Sequence, residues 1–242
     1  MRPRGLLLLF SLVALAGCST TPKWASLTAP APSQADAPLS KTAEADLYLG
    51  IVNGLIKQGR YEAAIAFLDQ YKESQAQSPR YQLLRGEALL GAKRYDDASL
   101  AFTAAVKSDL AAQAWSGLGR VEAARGRWGA ATDDFAHASR LDPANARYLN
   151  NLGYAKLQRG ETGGQLATAE TDLKRAYELD PNSNTIRNNL ILAANLSNDH
   201  TQLSMMLAMI GDMQQRSRVM DFAKTWSAGQ DNGVAPSVGG IQ

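Results

Sequence analysis

Residues 112–145 read AQAWSGLGRVEAARGRWGAATDDFAHASRLDPAN, and their spacing decides the fold. Two antiparallel helices approach closely only where one of them offers small residues, which stand here at Gly119, Ala131 and Ala138. Bulky side chains then fill the volume between the helices: Trp115, Leu118, Trp128 and Phe135. Pro143 cannot continue a helix, because it lacks a backbone N–H and clashes with the preceding turn. The stretch therefore predicts a helix, a turn, a second helix and a stop.

This order resembles the tetratricopeptide repeat (TPR), in which a W-x₂-L-G cluster opens the first helix. Trp115, Leu118 and Gly119 match that cluster, whereas Glu122 stands where the pattern has Tyr. One such hairpin cannot bury its own apolar face, so it requires neighbours stacked against it. The resemblance therefore predicts an all-α TPR solenoid.

The spacing of the alanines at the helix crossings indicates the number of repeats. They are separated by 34, 33 and 38 residues, against a TPR period of 34: Ala64, Ala98, Ala131 and Ala169. We predict four clear helix-turn-helix repeats and a degenerate fifth, which has Ile191 and Leu203 at its small-residue positions. The boundaries are about 45–78, 79–111, 112–145, 146–183 and 184–217. Extra residues in the fourth repeat are placed in a Gly-rich loop around 161–168.

The sequence beyond the repeats predicts a cap and a tail. Residues 218–226 are expected to form a short capping helix that closes a TPR domain spanning 42–226. The Gly-rich residues 227–242 are expected to be disordered. Methionines cluster in the fifth repeat at Met205, Met206 and Met209. We interpret them as ordinary core, the alternative being an adaptable binding patch.

The N-terminus has the features of an export signal. Residues 1–17 combine a basic start with an apolar run, too short for a comfortable membrane span, that ends in small residues. The following Cys18 completes an LAGC sequence that resembles the lipobox of bacterial lipoproteins. That resemblance implies cleavage before Cys18 and a covalent lipid on it, and Ser19 then implies the outer membrane, with the TPR domain in the periplasm. The alternative is an ordinary signal peptide followed by a free thiol.

Residues 18–41 continue from the lipidated cysteine as an Ala/Pro-rich segment without helical or strand periodicity, and we predict an extended tether. Trp24 within it is open to two interpretations, a side chain at the membrane interface or an incidental exposed aromatic.

Charge and composition exclude several functions. Without residues 1–17, which hold Arg2 and Arg4 and no acid, 23 basic and 23 acidic residues remain, so no nucleic-acid-binding face is indicated. Cys18 is the single cysteine, and no intramolecular disulfide is possible. His137 and His200 lack ligand-spaced companions, and His137 is expected to be exposed.

No catalytic motif stands out either. Phosphate-binding loops and nucleophile elbows are missing from the sequence. The acidic pairs Asp96-Asp97 and Asp133-Asp134 are interpreted as solvated faces. We therefore predict a binding protein and not an enzyme, with no metal and no cofactor apart from the covalent lipid on Cys18.

The repeat geometry predicts where a partner binds. First helices of a TPR array line a concave groove, and their polar residues face a peptide or a helix of another protein. The predicted groove residues are Asn53, Glu87, Arg120, Asn150, Tyr154, Asn188 and Asn195. Asn151 and Asn189 are assigned a structural role instead. The Lys/Asn clamp of chaperone-binding TPR domains is missing, which disfavours a chaperone cofactor.

Two stretches of sequence resemble a particular family of TPR proteins. YLNNLGYAKLQRGE at 148–161 and DPNSNTIRNNLILAANLSND at 180–199 are similar to the TadD family of tight-adherence (Flp) pilus assembly proteins. The resemblance implies a pilotin-like role, in which the protein helps a secretin ring to reach or assemble in the outer membrane. The alternatives are an NlpI-like scaffold that tethers peptidoglycan hydrolases, a type IV pilus pilotin, or a hydrolase with a TPR body.

Overall fold

A computed structural model describes residues 40–71, 78–160 and 164–231. This part of the chain forms α-helices and no strands. The helices are α1 Lys41–Lys57, α2 Tyr61–Asp69, α3 Pro79–Gly91, α4 Tyr95–Ala105, α5 Ala111–Ala124, α6 Trp128–Leu141, α7 Ala146–Gln158, α8 Gly164–Leu179, α9 Asn184–Leu196, α10 His200–Ala208 and α11 Met213–Asp231. The predicted signal sequence, Cys18 and nearly all of the tether lie outside the described residues.

The helices pair as antiparallel hairpins that stack in chain order. Helices α1 and α2, α3 and α4, α5 and α6, α7 and α8, and α9 and α10 pack as pairs, and each second helix also packs on the first helix of the next pair. The first helices α1 and α3, α3 and α5, and α7 and α9 touch as well. The described part of the chain is therefore an all-α solenoid of five hairpins, which confirms the predicted fold class.

Small residues set the spacing of the stack. A Cβ added to Gly119 of α5 would lie 2.7 Å from the ring of Phe135 in α6, its own hairpin partner. The ring of Phe102 in α4 lies against Gly86 of its own hairpin and Gly117 of the next, at 2.6 and 2.4 Å from an added Cβ. Both rings are fully buried. Glycine on a first helix thus receives a bulky side chain from a second helix.

The turn inside each hairpin contains one residue with a positive φ. The five residues follow one another at intervals of 34, 33, 34 and 38: Gly59, Lys93, Gly126, Gly160 and Asn198. Glycine adopts this left-handed conformation without cost, whereas Lys93, at φ 61°, pays a steric penalty. The turns give an exact register for comparing repeats, and they place the four extra residues after Gly160.

The loop predicted at 161–168 is wrong for most of its length. Helix α8 begins at Gly164 and has 16 residues, compared with 11 in α4. Helix α8 begins five residues before its crossing alanine, Ala169, whereas α6 begins three residues before Ala131, so the extra residues extend the N-terminus of α8 by two residues. Residues 161–163 lie outside the described part of the chain.

The C-terminal helix is longer than predicted. Helix α11 runs over Met213–Asp231 and not over 218–226, so the tail predicted from 227 is wrong for 227–231. Its start is marked by Asp212, whose carboxylate accepts a 2.6 Å hydrogen bond from the backbone N–H of Gln215. An Asp followed three residues later by Gln is the sequence pattern of a helix start. Residues 232–242 lie outside the described part.

The methionine cluster is only partly core. Met206 is buried, but Met205 and Met209 on α10 are half exposed, which corrects their assignment to the core. The second helix presents its outer side to solvent at these positions, as Leu100 does on α4. Among the described helices, none has the length and apolar character needed to cross a membrane.

Candidate protein-binding groove

One position, repeated on the first helices, runs along the predicted groove. The turn register aligns Asn53 of α1 with Glu87 of α3, Arg120 of α5 and Tyr154 of α7. The same position on α9 is Leu192. The first three side chains are partly exposed, whereas Tyr154 and Leu192 are buried. The groove is therefore open and polar along α1, α3 and α5, and closed and apolar along α7 and α9.

An ion pair occupies the open half. Nη1 of Arg120 donates to both carboxylate oxygens of Glu87, at 2.6 and 2.9 Å. Each side chain remains about a third exposed. The pair connects α3 to α5, so two consecutive repeats present their charges at a fixed separation. Because both groups stay in contact with solvent, the pair contributes at most about 1 kcal/mol to stability.

Asn150 and Tyr154 do not lie on the groove surface, and this part of the prediction is wrong. Asn150 is 0% exposed and accepts a 2.8 Å hydrogen bond from Nδ2 of Asn189, which joins α7 to α9. Tyr154 is 2% exposed, and its hydroxyl accepts a 2.5 Å hydrogen bond from Nε2 of Gln158. Asn150 thus joins two helices, Tyr154 is bonded within its own helix, and neither side chain lies on the groove surface.

Helix α11 closes the groove at α9. It packs against α9, and its Ala223 and Trp226 are buried in the same apolar cluster as Tyr154 and Leu192. Tyr154 on α7 also meets the ring of Trp128 on α6 edge-on, with ring centroids 6.1 Å apart. The repeat pattern contains no information about these contacts, and for that reason it misplaced Tyr154.

The remaining predicted residues, Asn188 and Asn195, are half-buried on α9. The buried Oδ1 of Asn188 has no hydrogen-bond partner among the described residues. The same is true of Oε1 of Gln158 and Nε1 of Trp226, two residues that the sequence interpretation missed. Buried polar atoms without partners are uncommon in native proteins.

Chemistry outside the groove is sparse. His137 is exposed, as predicted, and stacks on Trp115 with ring centroids 4.5 Å apart. No group of three or more metal-ligating side chains occurs within the described residues. An open cleft of about 560 Å³ at the turns of the second and third hairpins is lined by charged residues. Its arginines pair with acids, Arg94 with Asp97 and Arg125 with Asp96, so little charge is left for a ligand.

Asp134 on α6 departs from the predicted solvated face. Burial, followed by repulsion from Glu122 and Asp133, raises the pKa of its carboxyl to about 6. The pKa of Glu122 is lowered, mainly by a hydrogen bond from Arg127. Asp133, the chain neighbour of Asp134, is exposed, as predicted. The carboxyl of Asp134 therefore has a raised pKa, although Asp134 does not lie in the groove.

The described hairpins stack as a solenoid of the TPR type. Profiles of the tetratricopeptide repeat family match residues 40–88 and 83–136. A TPR repeat-containing protein of Pseudomonas aeruginosa is 27% identical over 197 residues, which cover 80% of this chain and 76% of that protein.

Solved structures share the fold. MamA from Desulfovibrio magneticus matches with a TM-score of 0.56 at 21% identity, covering 75% of this chain and 96% of MamA. YrrB, described as a TPR protein with an unusual peptide-binding site, matches with a TM-score of 0.54 at 19% identity, over 74% of this chain and 90% of YrrB. At such identities the likeness concerns the fold alone.

Proposed function

We propose that this protein is an outer-membrane lipoprotein whose TPR solenoid binds a protein partner in the periplasm. The lipobox-like LAGC sequence supports the anchor, since several acyl chains on one cysteine hold a protein stably at a membrane. The Ala/Pro-rich tether then separates the solenoid from the bilayer. Replacing the thiol, Cys18→Ala, leaves an uncut precursor or releases the protein from the membrane fraction. Unchanged processing and fractionation would contradict the anchor.

The partner we propose is a component of a pilus secretion apparatus, and the action is pilotin-like assistance to its secretin. The support is the similarity of 148–161 and 180–199 to the TadD family. These runs cover α7 and α9, together with the turns that follow them. They include Asn188 and Gln158, whose buried oxygens have no hydrogen-bond partner among the described residues.

The open half of the groove is the observation that carries the binding function. Asn53 supplies an amide beside the carboxylate of Glu87 and the guanidinium of Arg120, on three consecutive first helices. Such a mixed set of donors and acceptors suits the backbone of an extended segment or the polar side of a helix. The peptide-binding site of YrrB belongs to a protein of this fold, and we infer that a polypeptide is also the ligand here.

The experiment is to measure secretin multimers in outer-membrane fractions from cells that lack the protein and carry either wild-type or Arg120→Glu copies. Arg94→Glu is the matched control, because it reverses another exposed arginine outside the groove. The proposal expects multimers with the wild type and the control, and their loss with Arg120→Glu at equal protein level. Normal multimers without the protein would overturn the pilotin role. If crosslinking of the protein in its own membranes recovers peptidoglycan hydrolases and no secretin, the scaffold alternative is favoured.

A further inference from the structure

Helix α1 ends the stack on a face that the other first helices bury. On α3 this face meets α2 of the preceding hairpin. The hydroxyl of Tyr81 donates to the backbone oxygen of Leu68 at 3.2 Å, and Nη1 of Arg85 donates to Asp69 at 2.6 Å. Ala88 completes the face and is fully buried. The turn register places Leu47, Ile51 and Gly54 of α1 at these positions.

Exposure at equivalent positions separates α1 from the other four first helices. At the Leu47 position, the later hairpins carry Tyr81, Ala114, Tyr148 and Ile186, which are 5, 0, 3 and 0% exposed. Leu47 itself is 58% exposed. At the next position, Ile51 is 46% exposed, whereas Leu152 and Leu190 are 6 and 1% exposed. A terminal repeat normally carries a polar outer face, and α1 carries two large aliphatic side chains instead.

The opposite end of the stack is different. The face of α10 that would meet a following hairpin carries His200, Ser204 and Ala208, all exposed. A second copy stacked head to tail would place Leu47 and Ile51 against these polar and small residues. The two ends therefore do not complement each other, and open-ended polymerisation is disfavoured.

The chain's own sequence before α1 does not supply the missing helix. A second helix would have to lie within the residues that precede Lys41, and these contain Pro30, Pro32 and Pro38. Proline inside a helix removes a hydrogen bond and clashes with the preceding turn. The sequence of residues 30–38 therefore does not predict a helix of the kind that covers α3, α5, α7 and α9.

The face of α1 is complementary to itself. If two copies of α1 cross antiparallel about a twofold axis between Gly50 and Ile51, Leu47 of one copy lies opposite Gly54 of the other, and Ile51 opposite Gly50. A Cβ added to either glycine would meet nothing within 4 Å, so the space beside both is open. At the position equivalent to Gly50, Gly117 receives the ring of Phe102 from the neighbouring helix. We propose that the protein forms a symmetric dimer through α1, with Leu47 and Ile51 of each copy packed over the glycines of the other.

This inference does not depend on the proposed pilus role. One helix pair buries less than the roughly 1,200 Å² of a standard stable interface, so we expect a weak, reversible dimer. Anchoring on one membrane raises the effective concentration of the copies and favours such contacts.

The test uses the full-length lipoprotein in its own membranes. The Ile51→Cys variant is treated with a short bis-maleimide. Two controls are treated in the same way: the wild type, whose single cysteine is Cys18, and Ala66→Cys, which places a thiol on an exposed position of α2. The proposal expects a covalent dimer with Ile51→Cys and none with the other two. A heterologous adduct in place of the dimer, an equal dimer from Ala66→Cys, or no adduct would each overturn it.

A second experiment measures the dimer dissociation constant at equilibrium. Full-length protein in detergent is sedimented over a range of concentrations as wild type, Ile51→Glu and Leu100→Glu, the last being a more exposed aliphatic on α4. Like charges across the interface are expected to raise the dimer dissociation constant at least about tenfold for Ile51→Glu. Leu100→Glu is expected to match the wild type. Equal association by all three proteins, or a monomeric wild type, would overturn the dimer.

Discussion

Arg120 of α5 holds the carboxylate of Glu87 of α3 at 2.6 Å, across the boundary between the second and third hairpins. The two side chains occupy the same position one repeat apart, in the half of the groove that α11 leaves open. A partly exposed pair of this kind is a weak contributor to stability. The ion pair instead fixes the positions of one positive and one negative group in the open half of the groove.

Reversal of the charge at Arg120 separates binding from stability. Arg120→Glu places two carboxylates side by side, and we expect a loss of about 1 kcal/mol or less in the free energy of unfolding. The double variant Glu87→Arg/Arg120→Glu restores the ion pair with opposite polarity and should recover that loss. Chemical denaturation measures both. A loss of several kcal/mol in Arg120→Glu would show that the pair is mainly structural.

Enlarging Gly119 tests the packing of the third hairpin. Gly119→Val brings methyl groups into the ring of Phe135, which already lies 2.7 Å from an ideal Cβ, and overpacking of this kind costs about 1–3 kcal/mol. The control is Gly129→Ala on α6, where a Cβ meets nothing within 4 Å and helix propensity predicts a gain of about 0.5–1 kcal/mol. Denaturant midpoints compare the two variants. A Gly119→Val protein as stable as the wild type would contradict the assigned contact.

Asp134 predicts a pH dependence of stability. Its pKa is about 6 in the folded protein, against 3.8 for an unperturbed aspartate, so the folded state binds the proton more tightly. Ionised Asp134 therefore destabilises the fold above pH 6, and this cost disappears as the pH falls from about 6 towards 4. We expect Asp134→Asn to raise the free energy of unfolding by about 1 kcal/mol at pH 8, after allowance for solvent screening, and by little at pH 4.

Thermal unfolding of Asp134→Asn and Asp133→Asn at both pH values measures this dependence. Asp133 is the matched control because it is the exposed neighbour on the same helix. It should show a smaller gain at pH 8, through relief of its repulsion with Asp134. Equal gains by the two variants at both pH values would contradict the special burial of Asp134.

Trp226 tests the role of α11. Its side chain is 1% exposed and belongs to the cluster that contains Tyr154, so Trp226→Ala should cost about 3–5 kcal/mol. Met213→Ala, at the exposed start of the same helix, should change stability little. Hydrogen exchange should also rise along α7 and α9 in the Trp226 variant. Unchanged exchange there would mean that α11 does not close the groove.

Sequence spacing was sufficient for the frame of the molecule. The alanine intervals predicted the repeats because the close approach of two helices restricts residue size at one position in every repeat. Pro143 likewise marked the end of α6, which stops at Leu141. These are local requirements, and each is visible in a single stretch of sequence.

Positions that depend on neighbouring helices could not be read in the same way. Tyr154 matches the groove position of Arg120, but it is buried in an apolar cluster with residues of α9 and α11 and against Trp128 of α6, and no periodicity predicts that cluster. Asp134 follows an exposed aspartate, and only its surroundings on α5 and α6 distinguish the two. The extra residues of the fourth repeat contain two glycines, which suggested a loop, yet they extend the N-terminus of α8.

We propose that a secretin component binds in the open half of the groove. A photo-crosslinking residue is placed at Asn53 in the groove or at Ala104 on the exposed side of α4, in the full-length lipoprotein in piliated cells. The account predicts a covalent adduct with the secretin from position 53 and none from position 104. No secretin adduct from position 53, or equal adducts from both positions, would contradict it.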